Sequence, residues 1–184
     1  MFGDFKNGWS LWESRWKLDK LFSPKLETNC PVWTGDKNSK LLVWAEQGIG
    51  DHIIFASMLI DLRKYAKNII LEIDKRLVNL CKWYYEKINF SNIKVINLEK
   101  KLVNNFDKHI AIGSLGQYLR KTKKSFETTP KKYLISSPAK EKELRNKFFT
   151  NKKSILLDIF LGTFDHTIPS NTLILIVFGY IFLS

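Results

Sequence analysis

The sequence predicts an α/β fold: a parallel sheet with flanking helices, preceded by one amphipathic helix. Three observations lead there. Leu41-Leu42-Val43-Trp44 is an apolar run too short for a helix; it breaks at Gly48 and Gly50, and Ile54, Met58, Leu59 and Leu62 follow at helical spacing. Further short apolar runs alternate with amphipathic stretches, the pattern of strands joined by helical crossovers. Ahead of both, Phe5, Trp9, Trp12 and Trp16 recur at three- and four-residue steps and form an aromatic stripe.

Taken in order, residues 1–20 hold the striped helix, with Asp4 placed to cap it. Residues 21–39 contain Pro24, Pro31, Gly35 and Asn38 and read as a surface linker, with Trp33 tucked against the α/β domain. Residues 40–153 read as that domain. After the first strand come Ile69-Ile70-Leu71-Glu72-Ile73 as a second buried strand and Arg76 to Ile88 as a helix with Leu77, Leu80, Cys81, Tyr84 and Ile88 on one face. Ile93 to Ile96 makes a third strand and Asp107 to Ile112 a fourth, with His109 facing opposite to Ile110. Tyr133-Leu134-Ile135 suits a short edge strand, and Ser137-Pro138 opens a helix to about Phe149 with proline at its first position. The pattern stops near Lys153. Residues 154–184 read as an atypical apolar tail from a truncated or frameshifted reading frame; the run Leu173 to Leu183 falls short of the roughly 20 residues of a membrane span.

Composition narrows the function classes. The chain of 184 residues is 45% hydrophobic and 14% aromatic, a globular composition rather than a disordered one. Its net charge of +12 comes almost wholly from scattered lysines, while arginine, the residue of bidentate phosphate and base contacts, is scarce. A solvated surface is therefore expected in preference to a specific nucleic-acid interface. The two cysteines, Cys30 and Cys81, form no C-x-x-C pair, and His52, His109 and His166 have no ligand spacing, so neither a metal nor a cofactor is expected. Gly3, Asp4 and Lys6 interrupt any apolar leader, which suits a cytoplasmic protein with reduced thiols.

Chemistry is expected at the turn after the first strand, because open α/β sheets bind ligands beyond the carboxyl ends of their strands. Gly48-Ile49-Gly50 lacks the third glycine of a dinucleotide fingerprint, and no phosphate-binding G-x-x-x-x-G-K-[ST] occurs. Asp51 falls at the cap or first turn of the next helix. The residues alone favour a capping role; a catalytic carboxylate at the mouth of the sheet is compatible with it. Gly113-Ser114-Leu115-Gly116 also follows a strand. There Ser114 either caps a helix through Leu119 or offers its hydroxyl to a ligand.

Val43-Trp44-Ala45-Glu46-Gln47-Gly48-Ile49-Gly50-Asp51, with Phe55-Ala56 after it, resembles the signature of bacterial tetratricopeptide-repeat proteins that carry a glycosyltransferase-like domain. Gly8-Trp9, Trp12-Glu13-Ser14-Arg15-Trp16-Lys17 and Pro31-Val32-Trp33-Thr34-Gly35 resemble the same family's linker, and Gly113-Ser114-Leu115 and Pro130 with Tyr133-Leu134 its later loops. The resemblance covers about residues 3 to 150. It implies two Rossmann-like halves of a GT-B fold related to the heptosyltransferases, the first half binding the acceptor and the second the nucleotide sugar. Residues 1–20 would then be the last helix of a repeat array, and 40–153 the acceptor-side half. Asp51 would be the general base, Gly48 and Gly50 would admit the acceptor, and Glu46, Gln47, His52 and Ser114 would contact it. The acceptor would be a glycan or a protein, and a nucleotide sugar would be used only with a second domain. The expectation is an acceptor-binding fragment inactive alone; the alternative is a non-catalytic interaction module using the aromatic stripe.

Overall fold

The structure, a computed structural model, describes residues 3–18, 25–98, 105–127, 133–135 and 137–148. The apolar tail expected over 154–184 lies outside the described residues. The chain divides into two compact units, Met1–Tyr133 and Leu134–Ser184.

The first unit is built on β1 (Ser39–Trp44), β2 (Ala66–Ile73), β3 (Ile93–Asn97) and β4 (Lys108–Ala111). They form one four-stranded sheet of order β3-β2-β1-β4, parallel at every pairing. The expected α/β, Rossmann-like arrangement is therefore present. Central β1 is flanked on both edges, which is why its run carries Leu41, Leu42, Val43 and Trp44 without a polar break: all four are buried. Parallel strands need crossovers. These are α2 (Ile49–Ala56) with α3 (Leu59–Leu62) between β1 and β2, and α4 (Lys75–Lys87) between β2 and β3. Asp74 caps α4 by accepting from the Arg76 N–H, and Leu77, Cys81, Tyr84 and Tyr85 form its buried face.

One stretch departs from the expected periodicity. The helical spacing of Ile54, Met58, Leu59 and Leu62 suggests a single stripe, but the helix breaks at Ser57–Met58 and resumes in α3. Met58, Leu59 and Leu62 are buried, whereas Ile54 is 61% exposed and α2 instead buries His52, Ile53 and Ala56. The break rephases the two faces, so the stripe belongs to α3 alone.

At the other end of the unit, α1 (Phe5–Trp12) starts at Asp4, whose carboxylate accepts from the Asn7 N–H as expected. It tightens into a 3-10 turn over Glu13–Lys17. Side chains three apart eclipse in that geometry, which brings Trp12 against Arg15 and Glu13 against Trp16. The aromatic stripe is consumed by packing within the unit. Phe5 meets Phe126 of α6 (Lys124–Glu127), Trp12 meets Phe55 and Trp16 meets Trp44. The Trp9 indole N–H donates to the Arg120 carbonyl, just past α5 (Gly116–Leu119). The linker lies along β4: Val32 bridges His109 in parallel, and Trp33 is fully buried against Tyr65 and Tyr118. His109, expected opposite to Ile110, is itself buried and accepts at Nδ1 from the Trp44 indole.

In the second unit, α7 spans Pro138–Phe148, and the Ser137 hydroxyl accepts from the Lys140 N–H at its start. Tyr133 to Ile135 form no strand; Leu134 takes a left-handed φ of 55°.

Candidate functional site

The strand order puts the reversal of the chain between β1 and β4, since β2 and β3 are added on one side of β1 and β4 on the other. A crevice beyond the carboxyl ends at that reversal is where open α/β sheets take ligands. Glu46 leaves the end of β1 and Ser114 the end of β4, and the fold does bring them together. A side chain of this same protein already occupies the place between them. Arg15 donates from Nε to Glu46 Oε2 at 3.0 Å and from Nη2 to both Glu46 Oε1 at 2.5 Å and Ser114 Oγ at 2.8 Å. Its Nη1 donates to Glu13 Oε1 at 2.7 Å, and the Ser114 hydroxyl donates to the same oxygen at 2.9 Å. The guanidinium sits between two indoles, 4.4 Å from the Trp16 centroid and 4.9 Å from that of Trp12. Arg15, Glu46 and Ser114 are all buried. Burial opposes the Arg15 charge, and the hydrogen bonds to Glu46 and Glu13 more than offset it, raising its pKa. Ser114 lies in a 3-10 turn ahead of α5 and does not cap that helix; its hydroxyl is spent on the arginine network. Gly113 is required here, because a Cβ would lie 2.6 Å from Glu46 Oε1.

The turn after β1 is made differently from the expectation. Gln47, not a glycine, takes the left-handed conformation, at φ 63°, a strained state for a residue with a side chain. Gly48 is extended at φ −86° and serves as N-cap of α2. Asp51 stands in the first helical turn, where its Oδ2 accepts from the Gly48 N–H at 3.2 Å. Gly48 and not Asp51 is thus the N-cap residue, and Asp51 supplies the reciprocal bond of a capping box from the third helical position. The space a Cβ would fill at Gly50 is open.

Beside this turn, on the β1–β2 side, a cleft of about 260 Å³ opens. Trp44, Ala45, Gln47, His52, Glu72 and Leu98 line it, with Lys25, Leu26 and Glu27 of the linker at the same opening. Of the expected site residues, Gln47 and His52 therefore line the cleft, Gly48 and Asp51 shape the turn next to it, and Glu46 and Ser114 lie in the arginine network. His52 is only 2% exposed, and neither ring nitrogen makes a hydrogen bond of good geometry, the Glu46 backbone reaching it only weakly. Burial holds its imidazole below the usual range. Glu72 pairs with Trp44 in the sheet register and is also buried. Burial pushes its carboxyl up to about 7. Asp74, near His52, is held below the carboxylate range by its hydrogen bonds from Arg76.

Sequence reasoning did not single out Arg15 or Glu72. Each carried a signal: a lone arginine inside an aromatic stripe, and a lone carboxylate inside an apolar strand. Buried charge is rare enough to mark both positions. Among the described residues, no three His, Cys, Asp or Glu side chains gather in a way that could hold a metal ion.

The chain is similar to Protein FlbA of Caulobacter vibrioides, 24% identical over 147 residues, covering 74% of this chain and 25% of that protein. It thus spans about a quarter of that relative's length. No family model matches the chain. No solved structure matches it.

Proposed function

We propose that this chain is the acceptor-binding half of a glycosyltransferase-like protein that acts in the cytoplasm and uses a nucleotide sugar supplied through a second domain. The observation that carries the reading is the turn after β1, which sets Gln47 and His52 in the wall of a cleft beyond the carboxyl ends of the sheet and Asp51 in the turn beside it. Its resemblance to the glycosyltransferase-like signature supports the same conclusion. No described helix is long and apolar enough to cross a membrane.

In this reading a hydroxyl of a glycan or protein acceptor enters over Gly50. Asp51 takes its proton as the oxygen forms a bond to the anomeric carbon, and the bond from that carbon to the nucleoside diphosphate breaks. The Gly48 N–H holds one carboxylate oxygen, leaving Oδ1 to face the acceptor. Gln47 and His52 orient the acceptor from the cleft wall. Glu46 and Ser114 act indirectly, by fixing the two loops through Arg15.

Saturation-transfer NMR of the purified chain against an oligosaccharide panel tests this. Binding of a glycan that weakens at least tenfold in His52→Ala supports it. Binding of peptides and of no glycan would instead favour the interaction module, with Leu11 and Leu18, both exposed, as its apolar contacts.

A further inference from the structure

We propose that the cleft between Trp44, His52 and Glu72 is a binding site for a single uncharged, hydroxyl-bearing ring, with Glu72 and His52 as its hydrogen-bonding residues. The proposal rests on the acceptor-side reading and narrows it: the sugar unit held here is neutral, not acidic or basic.

Size comes first. Sites for drug-sized molecules run to about 300–1,000 Å³, so a cleft of about 260 Å³ has room within it for a single ring. Shape and polarity come next. Trp44, Ala45, Leu26 and Leu98 supply apolar wall, which suits the C–H face of a saturated ring. Against that wall stand two buried polar groups. His52 makes no hydrogen bond of good geometry at either nitrogen, the Glu46 backbone reaching it only weakly, and an under-satisfied polar group in a native interior calls for an explanation. A hydroxyl both donates and accepts, and so does a neutral imidazole. Glu72 is the second group. It lies in register with Trp44 at the carboxyl end of β2, where an apolar residue would pack at less cost.

Charge decides the class of ligand. Burial favours the neutral forms of both His52 and Glu72. Of the remaining charges, Asp74 pairs with Arg76 at 2.9 Å, Lys25 and Glu27 carry opposite signs at the opening, and Asp51, which accepts from the neutral Gly48 N–H, keeps its negative charge beside the cleft. An anionic ligand would shed its water without meeting a spare positive charge, and a cationic one would shed its water against polar groups that burial favours as neutral. A protonated carboxyl, like a neutral imidazole, offers one donor and further acceptor capacity. Two such groups match two hydroxyls.

The test uses the full chain and four probes at millimolar concentration: glucose, galactose, glucuronate and glucosamine. Binding is read by saturation-transfer NMR, and circular dichroism confirms that each variant is folded. At least one neutral sugar is expected to bind at least tenfold more tightly than glucuronate or glucosamine. Glu72→Gln, which keeps a donor and an acceptor, should bind within about threefold of the parent, whereas Glu72→Leu and His52→Leu should each lose at least tenfold. Binding by the parent should weaken as pH rises through 7, and binding by Glu72→Gln should not. No binding of either neutral sugar, preference for a charged one, or indifference to both leucine variants overturns the proposal. Oligosaccharide binding that ignores Glu72 and His52 overturns it and leaves the acceptor-side reading standing. Ring binding that depends on both residues in a chain that takes no oligosaccharide supports the site and removes that reading.

Discussion

Replacing Arg15 by methionine leaves Glu46, 2% exposed, as a buried carboxylate stripped of a two-point partner. Breaking a buried pair from one side costs roughly 3–5 kcal/mol. The expected loss is therefore about 3–5 kcal/mol. Methionine keeps the apolar stem between Trp12 and Trp16, so the loss reports charge rather than packing. Urea denaturation followed by tryptophan fluorescence measures it. Glu46→Gln added to Arg15→Met should recover most of the loss, because the stranded group is then neutral. A cost below about 1 kcal/mol, or a loss that the added Glu46→Gln does not recover, would refute a buried ion pair and with it the docking of α1 over the chain reversal.

Three further outcomes rest on particular contacts. Gly116→Ala places a Cβ against the Trp9 ring and should cost about 1–3 kcal/mol, with faster proteolysis near α1 as the local readout. Glu72 has a folded pKa of about 7, above its unfolded value, so its folded state binds the extra proton; stability should fall by on the order of 3 kcal/mol as pH rises from about 4.5 to 7, a slope that Glu72→Gln removes in paired urea titrations. Cys81, fully buried with its thiol pushed up to about 12, should resist a thiol reagent at pH 8 in the native chain while the half-buried Cys30 reacts, the second thiol appearing only in denaturant.

The central strand and the start of the helix after it were legible because each is a local pattern. An apolar run too short for a helix reports a strand buried on both faces. The same holds for β2, α4, β3 and β4, each found within a few residues of its expected place. That Gln47 takes the left-handed turn and Gly48 the N-cap is not written in the apolar run. Ile54 was misplaced because periodicity assumes an unbroken helix, and the break at Ser57–Met58 resets the phase. Asp51 and His52 were legible by type and position as residues at the turn after β1, but what surrounds them was not.

By itself, then, the sequence determined the fold class and the parallel sheet, since hydrophobic period and turn residues act over a few positions. Only the tertiary structure decided who meets whom. Arg15 finds Glu46 across 31 positions and Ser114 across 99. Glu72 becomes a cleft residue only because β2 pairs with β1 while α2 buries His52 beside it. Such partners are set by strand order and by which element covers the reversal of the chain. Those choices minimise the exposed apolar surface of the whole unit, and no local pattern records them.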